Sequence, residues 1–210
     1  MGRFFIFTTT LLLICACGSI PSNPRNNNQD NTSSVNWEWY SNNEAGLRYQ
    51  YPDFLTIQTD TQKDRGPSGE LIKTVNVSAI ATEPVVGLMV RVIEDPLRDQ
   101  MFPNSYPPSE ELFHILIVGD IDDLNFDDTE GNKSAVMTTI SGFDAATYQL
   151  GLDNREIGHM YVRGALIITP LRDISLYIIG SDESNAPDSV TPKFIDDLWS
   201  KLLNSIEIDY

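Results

Sequence analysis

From Trp37 onward apolar and polar residues alternate along most of the chain, and that period of two predicts strands. Leu47-Arg48-Tyr49-Gln50-Tyr51 alternates and is closed by Pro52-Asp53. Leu55 and Ile57 resume the alternation briefly, after which the polar run Thr61 to Glu70, with two glycines and a proline, predicts a turn. Leu71 to Ala81 predicts the next strand, with Val75, Val77 and Ala79 on one face. Glu83-Pro84 breaks it, and Val86, Leu88, Val90 and Val92 alternate along another. Asp95 to Pro108 holds four prolines and reads as a loop. Lys133 to Leu150 predicts a strand pair or a bent strand around Ile140-Ser141-Gly142-Phe143, and Tyr161 to Thr169 and Ile174 to Ile179 predict two more strands.

Two segments change period. Ser109-Glu110-Glu111 offers an N-cap and an acidic first turn, with Leu112, Phe113, Leu116 and Ile117 on one helical face. The short run Ile115 to Val118 also fits a buried strand. Near the C-terminus, Thr191 is an N-cap, Pro192 takes the first helical position, and Phe194, Ile195, Leu198, Trp199, Leu202 and Leu203 form an apolar stripe. The polar side of that helix carries Asp196 and Asp197 with only two lysines, so the stripe suits a protein core better than an anionic membrane. The order of elements predicts an α+β domain, an antiparallel sheet covered by helices.

Three short stretches resemble the PsbP-like domain. They are the opening Asn43-Glu44-Ala45-Gly46-Leu47-Arg48-Tyr49-Gln50-Tyr51-Pro52, the mid-domain Ile140-Ser141-Gly142-Phe143-Asp144-Ala145, and the closing Leu203-Asn204-Ser205-Ile206-Glu207-Ile208. The resemblance spans about residues 37–210 and implies an α/β/α sandwich, found in photosystem accessory proteins and in many bacterial lipoproteins. It brings over no catalytic residue, and no ligand motif matches the family's metal-binding members.

The N-terminus reads as an export signal. Arg3 is a positive flank, and Phe4 to Ala16 form an apolar stretch of 13 residues, too short for the roughly 20 that span a bilayer. Ile14-Cys15-Ala16-Cys17 resembles the bacterial lipobox, with Cys15 in a position more often held by Ala, Ser or Thr. That pattern implies diacylglyceryl transfer to Cys17 and cleavage after Ala16. The alternative is an ordinary signal peptide, which would leave Cys17 as a lone thiol. The expected organisation is a signal peptide over 1–16, a lipidated cysteine and polar tether over 17–36, and a globular body over 37–210. Residues 18–36 hold one Ile and one Val among Ser, Asn and Pro, too little apolar area to offset chain entropy.

Charge sharpens this picture. The chain has 14 Lys+Arg against 30 Asp+Glu, a formal charge of -16. Loss of residues 1–16 removes one cation, Arg3, and no acid, which takes the charge to -17. Such a surface repels phosphate backbones, so no nucleic-acid partner is expected, and it gives no attraction to anionic lipid. Attachment must come from Cys17.

Candidate chemistry is sparse. His114 and His159 are the only histidines, and no metal-binding or nucleophile motif accompanies them. Asp120 to Glu130 packs six carboxylates into 11 residues, and Asp123, Asn125 and Asp127 have calcium-loop spacing. Asp128 and Ser134 stand where an EF-hand needs Gly and Glu, so the loop reads as a solvated acidic segment. No phosphate-binding or dinucleotide motif occurs, and no cofactor, metal site or catalytic residue is expected. The expectation is a lipid-anchored, extracytoplasmic bacterial envelope protein. Its partners are the membrane and envelope proteins, and it acts as a non-catalytic binding or scaffolding domain. A hydrolase assembled from scattered residues, or a weak calcium or small-ligand module, is the alternative.

Overall fold

Alternating β-branched and polar residues need a neighbour strand for their backbone groups and a second layer for their apolar face, and this chain supplies both. A computed structural model describes residues 35–66, 69–82, 84–94, 96, 108, 128–130, 135–154, 158–182 and 190–209. Its strands are β1 (Trp37–Asn42), β2 (Leu47–Pro52), β3 (Thr56–Arg65), β4 (Leu71–Thr82), β5 (Val85–Glu94) and β6 (Asp128–Glu130). They continue with β7 (Val136–Ile140), β8 (Phe143–Asn154), β9 (Gly158–Ile168), β10 (Asp173–Asp182) and β11 (Glu207–Ile208), and the helix α1 (Pro192–Asn204) precedes β11.

Two antiparallel sheets result. The larger has eight strands in the order β3-β4-β5-β10-β9-β8, with β6 and β7 pairing successive parts of the far edge of β8. The smaller has the order β1-β2-β11. Register places Val77 opposite Val90 and Val90 opposite Leu176, so the buried residues of β4, β5 and β10 fall in rows on one face. That face meets Leu47 and Tyr49 of the small sheet and Ile195, Leu198 and Leu202 of α1 in one core. On the opposite face of β8 and β9, Tyr148, Leu150, Met160 and Val162 are buried in a second cluster. Residues Ala165 to Ile168 are therefore buried on both sides in succession.

Local chemistry fixes the connections. β7 and β8 join through Ser141 and Gly142, both at positive φ (53° and 84°), which the two-residue hairpin demands. Thr191 Oγ1 caps α1 by accepting from the Phe194 N–H at 3.1 Å. Gly180 lets α1 settle on β10, since a Cβ there would run into Ile195 and Val190. Ser205 ends the helix and holds it to the small sheet: its Oγ donates to Leu202 O and accepts from the Gln50 N–H, both at 2.8 Å.

Two expectations are corrected. The polar run from Thr61 is not a turn as far as its first half is concerned. β3 continues to Arg65 in register with β4, and the reversal occupies only the residues around Gly66 and Gly69. An edge strand can stay polar, because pairing with β4 and not burial fixes its backbone. The larger correction concerns fold class. The expected α/β/α sandwich, a sheet covered by helices, is not what forms: the described residues are mostly β, two antiparallel sheets and one helix. A three-stranded sheet shares with α1 the covering that helices were expected to supply, because Leu47 and Tyr49 point their apolar side inward from strands. The helix expected from Ser109 lies outside the described residues, as do the segments 1–16 and 17–34. The described chain begins at Val35, which already packs against the core.

Candidate functional site

Strand alternation divides the small sheet into an inner and an outer side. Tyr40, paired with Tyr49, and Leu47 face the core. Trp37, Trp39 and Ser41 fall on the other side, opposite Pro52, Gln50 and Arg48, and β11 sets Glu207 across from Arg48. Trp39 is 44% exposed, a large apolar ring left in water.

Both tryptophans hold a cation. The Arg48 guanidinium carbon lies 4.0 Å from the Trp39 ring centre, and the Lys201 ammonium, delivered by the last turn of α1, lies 4.4 Å from that of Trp37. Exposed cation–π contacts contribute about 0.5–1 kcal/mol each. Arg48 also reaches Glu207 at 3.3 Å, with both side chains about half exposed, so this ion pair contributes little and is readily exchanged. On the inner side, at the end of the strand pair, the Tyr51 hydroxyl donates to Glu38 at 2.8 Å, and that bond is the main reason its phenol titrates above the usual range.

Beneath this face lies an unusual core residue. Tyr49 is 1% exposed, and its hydroxyl has no hydrogen-bond partner among the described residues. Burial, with smaller contributions from Tyr40 and Tyr51, pushes its phenol well above the ordinary value. The Tyr40 ring lies 5.1 Å away, and the Tyr40 hydroxyl is 3.0 Å from Thr59 Oγ1, joining the small sheet to β3.

The residues singled out by sequence do not come together here. Cys17 and His114 lie outside the described residues, as does the acidic loop from Asp120 to Asp127. Asp128 to Glu130 form β6 and pair with Asp153, Leu152 and Gly151. His159 is half-buried on β9 with its ring edge-on to Tyr161 at 4.8 Å. Among the described residues, no three His, Cys, Asp or Glu side chains converge as a metal would require. No described helix is long and apolar enough to cross a membrane. Sequence reasoning took Trp37 and Trp39 only as the start of the body. Their i, i+2 spacing, out of phase with Tyr40, was the available signal of an outward aromatic face.

No family model matches the chain, and no curated protein matches it. Among solved structures, the chain is similar to a protein from Bacteroides thetaiotaomicron VPI-5482, with a TM-score of 0.40 and 8% identity over 79% of this chain. It spans under half, 46%, of that protein. A Pseudomonas aeruginosa protein of unknown function aligns with a TM-score of 0.37 and 11% identity, over 80% of this chain and 94% of its own. The cyanobacterial PsbP protein, CyanoP, from Synechocystis sp. PCC 6803 aligns with a TM-score of 0.53 and 12% identity, over 93% of this chain and 98% of its own. At that coverage the likeness is one of fold: the body of this chain has a PsbP-like fold.

Proposed function

We propose that this chain is an extracytoplasmic accessory domain of a bacterial envelope, held to a membrane by acyl chains on Cys17 and acting by binding, not catalysis. The observation that carries the reading is the outer side of the small sheet. In a chain of formal charge -16, it presents one exposed tryptophan, Trp39, with the Arg48 guanidinium stacked on its ring, beside Lys201 and the half-buried Trp37. The PsbP-like fold supports an accessory role by analogy of fold alone. Envelope proteins are the partners proposed, and no cofactor is. The acidic surface speaks against nucleic acid.

Labelled palmitate fed to cells tests the anchor. Wild-type protein takes up the label and sediments with membranes, and Cys17→Ala does neither. Label uptake that persists in Cys17→Ala, or an unlabelled wild type, defeats the anchored reading. Crosslinking in intact membranes followed by purification tests the binding role. Recovery of a defined envelope protein supports it, and recovery of none defeats it.

A further inference from the structure

The two edges of the large sheet treat an added strand differently. β3 forms one edge, and its last six residues carry Asp60, Lys63, Asp64 and Arg65. Charges on an edge oppose pairing with another chain. β7 stands at the other edge and, among the described residues, pairs only with β8. Its sequence Val136-Met137-Thr138-Thr139-Ile140 holds no charge and no proline. Val136 is 62% exposed and Met137 40%, one on each face of the strand. Uncharged, β-branched residues on an open edge favour a further strand. We propose that β7 is a self-association edge, to which a second copy of this chain adds its own β7, antiparallel, about a two-fold axis through Thr138. The proposal stands apart from the small sheet and from Cys17.

Backbone geometry selects that register. The loop between β7 and β8 has two residues, Ser141 and Gly142, so the flanking pair Ile140 and Phe143 exchanges both of its backbone hydrogen bonds. Bonded and non-bonded pairs alternate from there. Ile140, Thr138 and Val136 turn their N–H and C=O groups to β8, and Met137 and Thr139 turn theirs off the edge. A two-fold through Thr138 sets Met137 opposite Thr139 of the second copy, and Thr139 opposite its Met137. All the outward groups are then bonded, in two reciprocal pairs. An axis through Met137 or Thr139 would leave the other of the two opposite a residue outside the strand.

The side chains fit the same register. On one face Thr138 meets its own copy, with Val136 opposite Ile140 to either side, and on the other face Met137 meets Thr139. No like charges oppose each other, and such cross-strand pairs are favourable. Five-residue strands make an interface below the roughly 1,200 Å² of stable complexes, so the dimer is weak and reversible. Each copy also carries a formal charge of -16, and salt screens the repulsion between them beyond about 8 Å. Association should therefore strengthen as salt is raised.

Cysteine crosslinking reads the register. The parent is the full chain with Cys15→Ser and Cys17→Ser, which removes both of its cysteines. Thr138 and its copy form a non-hydrogen-bonded pair with Cα atoms about 4.5 Å apart, within reach of a disulfide. Thr138→Cys should give a linked dimer under oxidised glutathione. Val136 and its copy lie about 14 Å apart, too far to bridge, so Val136→Cys should stay monomeric. Gln62→Cys on the opposite edge should stay monomeric too. Sedimentation of the parent in mild detergent should show a monomer–dimer equilibrium that strengthens with salt. Met137→Pro removes an N–H that β8 does not use and, by symmetry, half of the inter-copy bonds, so it should weaken the equilibrium by about tenfold or more. Thr138→Lys sets two like charges face to face and should weaken it several-fold, which supplies the reading if Met137→Pro fails to fold.

Equal linkage at all three cysteine positions, or no linkage from a folded Thr138→Cys, overturns the proposal. So does a parent that sediments only as monomer, or a dimer that weakens with salt or ignores Thr138→Lys. A photocrosslinking residue at position 138 in intact cells should capture a second copy. Capture of a different protein alone gives the edge to another partner and overturns the proposal.

Discussion

The two sheets of this protein spend the same alternation differently. In the eight-stranded sheet, β9 and β10 send apolar side chains to both faces, and Ile167, Ile174 and Ile178 are essentially sealed from water. In the three-stranded sheet the inner side is sealed, and the outer side is covered only at the end where Pro52 and the half-buried Trp37 pair. Its outer side displays Trp39, Arg48 and Glu207. A row of buried aliphatics gives stability and has no chemistry to offer a partner. An exposed indole with a guanidinium on its face contributes little to folding and leaves a ring and a cation accessible. The contrast separates the scaffold from the face proposed to bind.

The largest effects should come from breaking the scaffold. Ile178→Ala removes a buried side chain facing Leu88 and should cost about 2–5 kcal/mol in urea unfolding, by lost transfer energy and the cavity left behind. Crosslinking to an envelope protein by the fraction that remains folded should be unchanged. A variant that loses the crosslink while still folded would merge the two regions.

The next effect runs in the opposite direction. Tyr49→Phe deletes a buried hydroxyl that has no partner, and stability should rise by about 1 kcal/mol. The pH dependence gives a second reading. An unfolded tyrosine releases its proton near pH 10, whereas folded Tyr49 retains it to higher pH because of burial. Above about pH 10 the folded state then binds more protons than the unfolded state, so stability falls as pH rises. Tyr49→Phe should flatten that fall, as read by melting temperature from pH 8 to 11. Tyr51, half-buried and bonded to Glu38, should add a smaller slope of the same sign.

The smallest stability effects belong to the face. Arg48→Gln removes an exposed ion pair and an exposed cation–π contact and should change stability by no more than about 1 kcal/mol. A loss of several kcal/mol would mean that the outer side of the small sheet is structural after all.

Much of the scaffold was legible because alternation is a strong signal when one face is buried. Val86, Leu88, Val90 and Val92 marked β5, and Thr191 with Pro192 marked the start of α1. The exposed edge strand was missed, since Thr61 to Arg65 carry no apolar period and are held by cross-strand bonds that a local reading cannot see. The layer over the sheet was misjudged for a related reason. Leu47 and Tyr49 show that they have a buried side but not what lies against it. The outer face was in plain view as Trp37 and Trp39, yet only the pairing with β2 brings Arg48 onto Trp39, and only the final strand brings Glu207 to Arg48. Chemistry assembled from residues 159 positions apart has no local signature.

Photocrosslinking in intact cells tests the separation of scaffold and face most directly. Trp39 and Ile80 are comparably exposed, at 44% and 49%, one on the outer side of the small sheet and the other on the large sheet. A benzophenone amino acid is placed at each in turn. The account predicts envelope-protein adducts from position 39 and none from position 80. Equal capture at both positions, or capture at 80 alone, would contradict it.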